Sequence, residues 1–158
     1  MKNFCLQRVL AYCMTVIAAM YSAASFATSI TPFTANIGFN ETLGPPTSTC
    51  FLTGAISGTG TATKLGAVSL ASEDCINPIS ATTFVFTSDK VVLAAKGDQI
   101  WAAYAGTLSA TDHSIHGTFV VFGGTGRFKD ARGIGVIDGS EDLSTGTGQI
   151  QLKGALSY

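Results

Sequence analysis

Residues Gly117 to Gly139 read GTFVVFGGTGRFKDARGIGVIDG, and this stretch decides the fold. Thr118 to Phe122 is β-branched and aromatic, Gly123-Gly124-Thr125-Gly126 breaks it, and Gly133 to Ile137 resumes an apolar run. Two such runs around a glycine-rich break predict two adjacent antiparallel strands with a connection longer than the tightest hairpins. The break supplies backbone freedom that other residues adopt only with strain. Nucleotide binding does not fit these letters. Lys129 stands where a dinucleotide fingerprint needs glycine, no GxxxxGK[ST] loop is present, and no helical pattern follows the turn.

The N-terminus predicts export. Lys2 and Arg8 precede an apolar run from Val9 to Met20, and Ser25-Phe26-Ala27 offers small residues at both recognition positions of a signal peptidase. Residues 1–27 are therefore read as a signal peptide, and residues 28–158 as a single domain. The run is shorter than the roughly 20 residues of a spanning helix, and no later stretch reaches that length, so no membrane span is expected after cleavage. The destination is the periplasm or the extracellular space.

Cleavage after Ala27 leaves 131 of the 158 residues, enough for one domain with a substantial core. Lys2 and Arg8 leave with the leader, so seven basic residues remain against ten acidic ones, a formal charge of −3. The one basic cluster, Arg127, Lys129 and Arg132, is interleaved with Asp130. Phosphate tracking needs more than this, so nucleic acid is not an expected partner. Cys50 and Cys75 are the cysteines left after cleavage, and in an exported chain they most simply pair. Free or intermolecular thiols are the alternative. Neither has a second Cys or His at ligand spacing, so no metal site is expected there.

Along the chain, Ile30–Phe33 and Asn36–Leu43 read as two strand pieces ending at Gly44-Pro45-Pro46. Thr49–Ser57 and Thr59–Leu70 read as the next two strands, parted near Gly58, and Ser72–Ser80 carries loop chemistry. Thr82–Thr87 and Val91–Ala95 follow, separated by Ser88-Asp89-Lys90, and Gly97-Asp98 is a turn. On Gln99–Leu108, Ile100, Ala102, Tyr104 and Leu108 share one face, with Trp101 on the other. A turn at Thr111–Ser114 leads into the organising stretch, and after Asp138-Gly139 a polar loop leads to a last strand, Gly148–Leu156. There Ile150, Leu152 and Leu156 alternate against Gln149, Gln151 and Lys153. Eight to ten short strands with no helical stripe predict an all-β domain, and glycines within them suit the bends of a small closed barrel.

Gly123-Gly124-Thr125-Gly126-Arg127-Phe128, followed by Ala131-Arg132-Gly133, resembles the GGTGxFxxARG signature of dirigent proteins. Gly58-Thr59-Gly60-Thr61-Ala62-Thr63-Lys64-Leu65-Gly66, Cys75-Ile76-Asn77-Pro78 and Tyr104-Ala105-Gly106-Thr107 resemble bacterial secreted relatives of the allene oxide cyclase barrel. The resemblance spans most of Thr49 to Gly139. It implies an antiparallel barrel of about eight strands with an internal cavity, assembled as a trimer in plant relatives. It also implies either steering of phenoxy-radical coupling or cyclisation of a hydrophobic epoxide. The glycine motif is a structural turn in that family, and no catalytic residue transfers onto this chain.

Phe84, Phe86, Tyr104, Phe119 and Phe122 are the candidate ligand-binding residues, lining an apolar lumen. A solid core or an aromatic subunit interface is the alternative. Trp101 and Tyr104 lie an odd number of positions apart, so only one of them faces inward. Asp112, His113 and His116 are the one acid–histidine cluster, read as a solvated hairpin loop. No Ser/His/Asp arrangement and no cofactor is expected. The leading expectation is a binder of a small hydrophobic ligand, followed by a cyclase or dirigent-type enzyme and by an interaction protein with a filled barrel.

Overall fold

The computed structural model describes residues 30–158, and the segment read as a signal peptide lies outside the described residues. Eight strands run in sequence: β1 (Thr31–Gly44), β2 (Leu52–Ala62), β3 (Gly66–Pro78), β4 (Thr83–Ala95), β5 (Asp98–Ser109), β6 (Ser114–Gly124), β7 (Arg132–Asp142) and β8 (Thr147–Ser157). Each pairs antiparallel with its neighbour, and β1 pairs with β8, so the sheet closes into a barrel with no free edge. Among the described residues no helix is long and apolar enough to cross a membrane.

Alternation along each strand fills the lumen. Phe33, Ala35, Ile37 and Phe39 point inward from β1, Val68 and Leu70 from β3, and Ile100 and Ala102 from β5. The inward glycines make room for rings. A methyl group at Gly106 would strike the Phe86 ring, one at Gly135 the Phe119 ring, and one at Gly148 the Phe39 ring. Large side chains on one strand thus lie over bare backbone on another, which lets eight strands close around aromatic residues.

The two ends differ. At one end the connection between β6 and β7 folds into a single 3-10 turn, Gly126–Phe128, the only helical element among the described residues. Thr125 donates its backbone N–H to the Gln99 carbonyl and accepts from the Gln99 N–H through its hydroxyl at 2.9 Å. Gly126 has φ +52, a conformation that side chains resist, and Asp98 occupies the space that its side chain would need. This seats Phe128, which is fully buried in the core with Leu65 and Ala131, so the glycine signature closes one end of the barrel. At the other end, the Cys50–Cys75 disulfide ties the β1–β2 loop to β3, with Cα atoms 5.1 Å apart. Closing a loop of this length stabilises the fold by about 3 kcal/mol in the chain-entropy description.

Several expected boundaries are corrected. The expected break within the first strand does not exist, and β1 is continuous. Gly58 lies inside β2, because added side chains at Gly58 and Gly60 would collide with the β1 backbone. The turn falls instead at residues 63–65, with Lys64 at φ 63. Ser72–Pro78 belongs to β3 rather than to a loop, and Ser88-Asp89-Lys90 is a bulged part of β4. The polar stretch after Gly139 continues β7 as far as Asp142.

Candidate functional site

The inward series of three strands ends in carboxylates near the disulfide end. Glu41 follows Phe39 on β1, Asp74 follows Leu70 and Ser72 on β3, and Glu141 follows Ile137 and Gly139 on β7. Asp74 and Glu141 are buried, and Glu41 is half-buried. The Glu41 carboxylate passes over Gly54 of β2, where an added methyl would strike it.

A hydrogen-bonded network holds Asp74. The Tyr104 hydroxyl from β5 donates a short hydrogen bond to Asp74 Oδ1. Ser72 Oγ lies 2.8 Å from Asp74 Oδ1, 2.8 Å from Tyr104 Oη and 3.0 Å from Ser88 Oγ. Ser88 in turn donates to the Glu73 carbonyl at 2.7 Å. Phe86 meets Tyr104 edge to face, with centroids 5.7 Å apart, which fixes the ring that carries the hydroxyl.

Burial governs the protonation of these groups. Glu41 is pushed up to about 8, first by burial and then by the charge of Glu141, to which its carboxyl proton is donated. Asp74 is raised to about 6 by burial, although the hydrogen bonds from Tyr104 and Ser72 pull the other way. Burial also raises Glu141, against the stabilising bond from Glu41. Tyr104 is raised by burial and by the negative charge of Asp74, so it remains a donor. Near neutral pH the site therefore holds a protonated Glu41 near an ionised Asp74.

This polar corner faces an apolar cavity of about 50 Å³, lined by Phe39, Ile56, Phe84, Phe86, Leu108 and Ile115 together with Glu41, Asp74 and Tyr104. A second cavity, of about 40 Å³, lies deeper, between Phe33, Leu93, Ile100 and Phe119. Leu70, Tyr104, Ile137 and Ile150 line both. Each holds a few waters at most, whereas ligand pockets usually exceed about 300 Å³. Phe84 and Phe86, which line the outer cavity, are half-buried.

Of the sequence-based candidates, Phe84, Phe86 and Tyr104 meet at the outer cavity and Phe119 lines the inner one. Phe122 is a correction. It is 47% exposed on the outside, because it lies three positions from the inward Phe119 and regular alternation along β6 puts it on the opposite face, where it is also the unpaired residue of a bulge. Trp101 also faces outward, as its odd spacing from Tyr104 requires. With Val120, Ile134 and Val136 these residues form an exposed apolar patch across β5, β6 and β7.

The remaining clusters lie away from the lumen. His116 pairs with Asp138 on the outer face at 3.1 Å, and His113 Nδ1 contacts the Glu141 backbone oxygen at 2.9 Å. Arg127 lies 3.6 Å from Asp98, and Arg132 donates to the Phe122 and Ala131 carbonyls. Sequence reasoning missed Glu41, Asp74, Glu141, Ser72 and Ser88. Their signal was parity, since each continues an inward-facing series.

No family model and no curated protein matches the chain, so the dirigent and allene oxide cyclase label finds no support there. Among solved structures, the chain is similar to a nonspecific heme-binding cyclase that catalyses a (4 + 2) cycloaddition during neoabyssomicin biosynthesis. The TM-score is 0.44 and the identity 13%, over 96% of this chain and 78% of that one. A likeness this weak carries no functional argument.

Proposed function

We propose that this barrel is an exported protein that binds a small hydrophobic molecule in its lumen. The observation that carries the reading is a cavity with apolar walls and a single polar corner, at the end opposite the Phe128 plug. Apolar walls supply affinity and a few convergent polar groups fix orientation. The disulfide beside the cavity and the leader-like N-terminus support export.

Methyl NMR with indole, cyclohexanol or 2-phenylethanol as probe tests the site. Shifts are expected at Ile56, Leu108, Ile115 and Ile150, which line the outer cavity. Shifts confined to Val120, Ile134 and Val136 would move binding to the outer face and remove the lumen reading.

A second reading is acid–base catalysis of the isomerase or cyclase class. A carboxyl held protonated near neutral pH beside an ionised one favours it, because that pair supplies both acid and base in one apolar site. It requires turnover of a bound compound, lost in Glu41→Gln while binding persists. The outer patch supports self-association as an additional property. Sedimentation at micromolar concentration is then expected to give a mass above the monomer, reduced by Ile134→Ser. A monomer throughout would remove that expectation.

A further inference from the structure

The charges of the barrel are sorted along its axis. Lys64, Lys96, Arg127, Lys129, Arg132 and Lys153, six of its seven basic residues, lie in the half closed by Phe128. Glu41, Glu73, Asp74, Asp112, Glu141 and Asp142 lie in the opposite half, around the disulfide. All six cations are exposed, and of these only Arg127 forms an ion pair among the described residues, with Asp98. The exposed apolar patch lies on the basic half. Trp101 stands near the start of β5, Phe122 near the end of β6, and Ile134 and Val136 near the start of β7. Ile134, 67% exposed, lies at its centre. Cations border this patch on three sides. Lys96 sits on the turn before β5, Lys153 of β8 is the registered partner of Val136, and Lys129 and Arg132 stand at the plugged end. Arg132 is held there, because its guanidinium donates to the Phe122 and Ala131 carbonyls. The Trp101 ring and the Lys129 carbonyl both flank Gly123, so the indole lies where the apolar patch meets the basic rim.

We propose that this face docks on an anionic lipid bilayer, with Trp101, Phe122 and Ile134 entering the headgroup region and the basic rim meeting lipid phosphates. The inference is independent of the lumen reading. Apolar side chains alone would pack as well against a second copy. A second copy, however, brings the same cations to the contact, whereas an anionic bilayer brings the opposite charge. Tryptophan suits this depth, since its ring is apolar and its N–H polar. Here the N–H donates to Gln99 Oε1 at 3.2 Å, on the side of the basic rim. The rest of the outer wall does not suit lipid. Asn36, Thr59, Thr61, Asp138, Gln149 and Gln151 face outward across β7, β8, β1 and β2. A barrel that crosses a bilayer needs an apolar band all round, so this one lies on the surface. The acidic half then points away from the bilayer, as like charge requires.

Trp101 is the one tryptophan of the chain, so its fluorescence in the folded barrel reads this face directly. Vesicles of phosphatidylcholine mixed with phosphatidylglycerol are expected to shift its emission to the blue and to carry the barrel down on sedimentation. Vesicles of phosphatidylcholine alone are expected to do neither. Raising salt from about 0.05 M to about 0.5 M should weaken binding at least about tenfold, because it screens charges at a surface. Lys129→Gln with Lys153→Gln should weaken it about 25-fold, roughly fivefold for each charge held near an anionic surface. Both side chains are exposed, so the variant keeps the fold. Equal binding to phosphatidylcholine alone, or an emission unmoved by either vesicle up to about 1 mM lipid, would overturn the proposal. A blue shift that grows with protein concentration and ignores lipid would also overturn it, and would assign the face to a second copy. Each result leaves the lumen reading as it stands.

Discussion

Phe128→Ala is expected to destabilise the protein by about 3–5 kcal/mol, the cost of emptying a fully buried aromatic site. For a domain of this size that is roughly a 10–15 °C fall in melting temperature. Phe128 has no exposed surface, stacks edge-on against Tyr158 at 4.9 Å, and lies in the core between residues from several strands. The backbone that presents it cannot readily follow an inward collapse. Gly124 lies against the Gln99 carbonyl, Thr125 is bonded to Gln99 from both sides, and Gly126 is fixed in a left-handed conformation. The cavity therefore persists and its full cost is felt. Phe128→Leu, which keeps most of the volume, should lose far less. A melting temperature for Phe128→Ala within about 3 °C of the native value, less than 1 kcal/mol, would show that the turn does not close the core.

Stability is also expected to fall as pH rises from about 5 to about 9. Glu41 and Asp74 have folded-state values raised above their ordinary ones, to about 8 and about 6. The native state therefore holds protons that the unfolded chain has lost, and stability decreases with pH wherever this is so. Their contribution is complete below the ordinary carboxylate range and is lost as pH passes through about 6 and then about 8. With the Glu41 share discounted for water at the open end, the loss is about 2–4 kcal/mol. Asp112 and Asp142 act oppositely, since hydrogen bonds from Ser109, Ser114 and Ser144 lower them, and their contribution is lost only in strong acid. Glu41→Gln copies the protonated form and should flatten much of the alkaline limb in thermal melts. An equally steep limb in that variant would assign the effect to other groups.

How far the sequence discloses this molecule depends on which physical rule governs each residue. Gln99–Leu108 and Gly148–Leu156 alternate cleanly, so their inward residues were readable by parity, as was the outward Trp101. The glycine-rich break announced a connection between strands, but not that its purpose is to seat Phe128. Parity was obscured where polar residues face inward. Val68, Leu70, Ser72, Asp74 and Ile76 form one unbroken inward series on β3, yet serine, aspartate and proline together carry the composition of a loop. Glu41 ends the series Phe33, Ala35, Ile37 and Phe39 in the same way. A barrel lumen inverts the usual rule, because a polar residue there can be satisfied by partners from across the barrel. Those partners are far apart in sequence: Tyr104 lies 30 residues from Asp74, and Glu141 meets Glu41 only because β8 closes onto β1. Phe122 lies three positions from Phe119, so the odd-spacing rule that sets Trp101 outside sets Phe122 outside as well, and the two could not both line the lumen.

The most direct measurement is a pH titration of the side-chain carboxyl ¹³C resonances of Glu41, Asp74 and Glu141 in the folded barrel. Glu41 is expected to change protonation near pH 8 and Asp74 near 6, with Glu141 above the ordinary glutamate range. Three midpoints near 4, the value of solvated carboxyls, would mean that these groups face open water, and the apolar acid site would not exist.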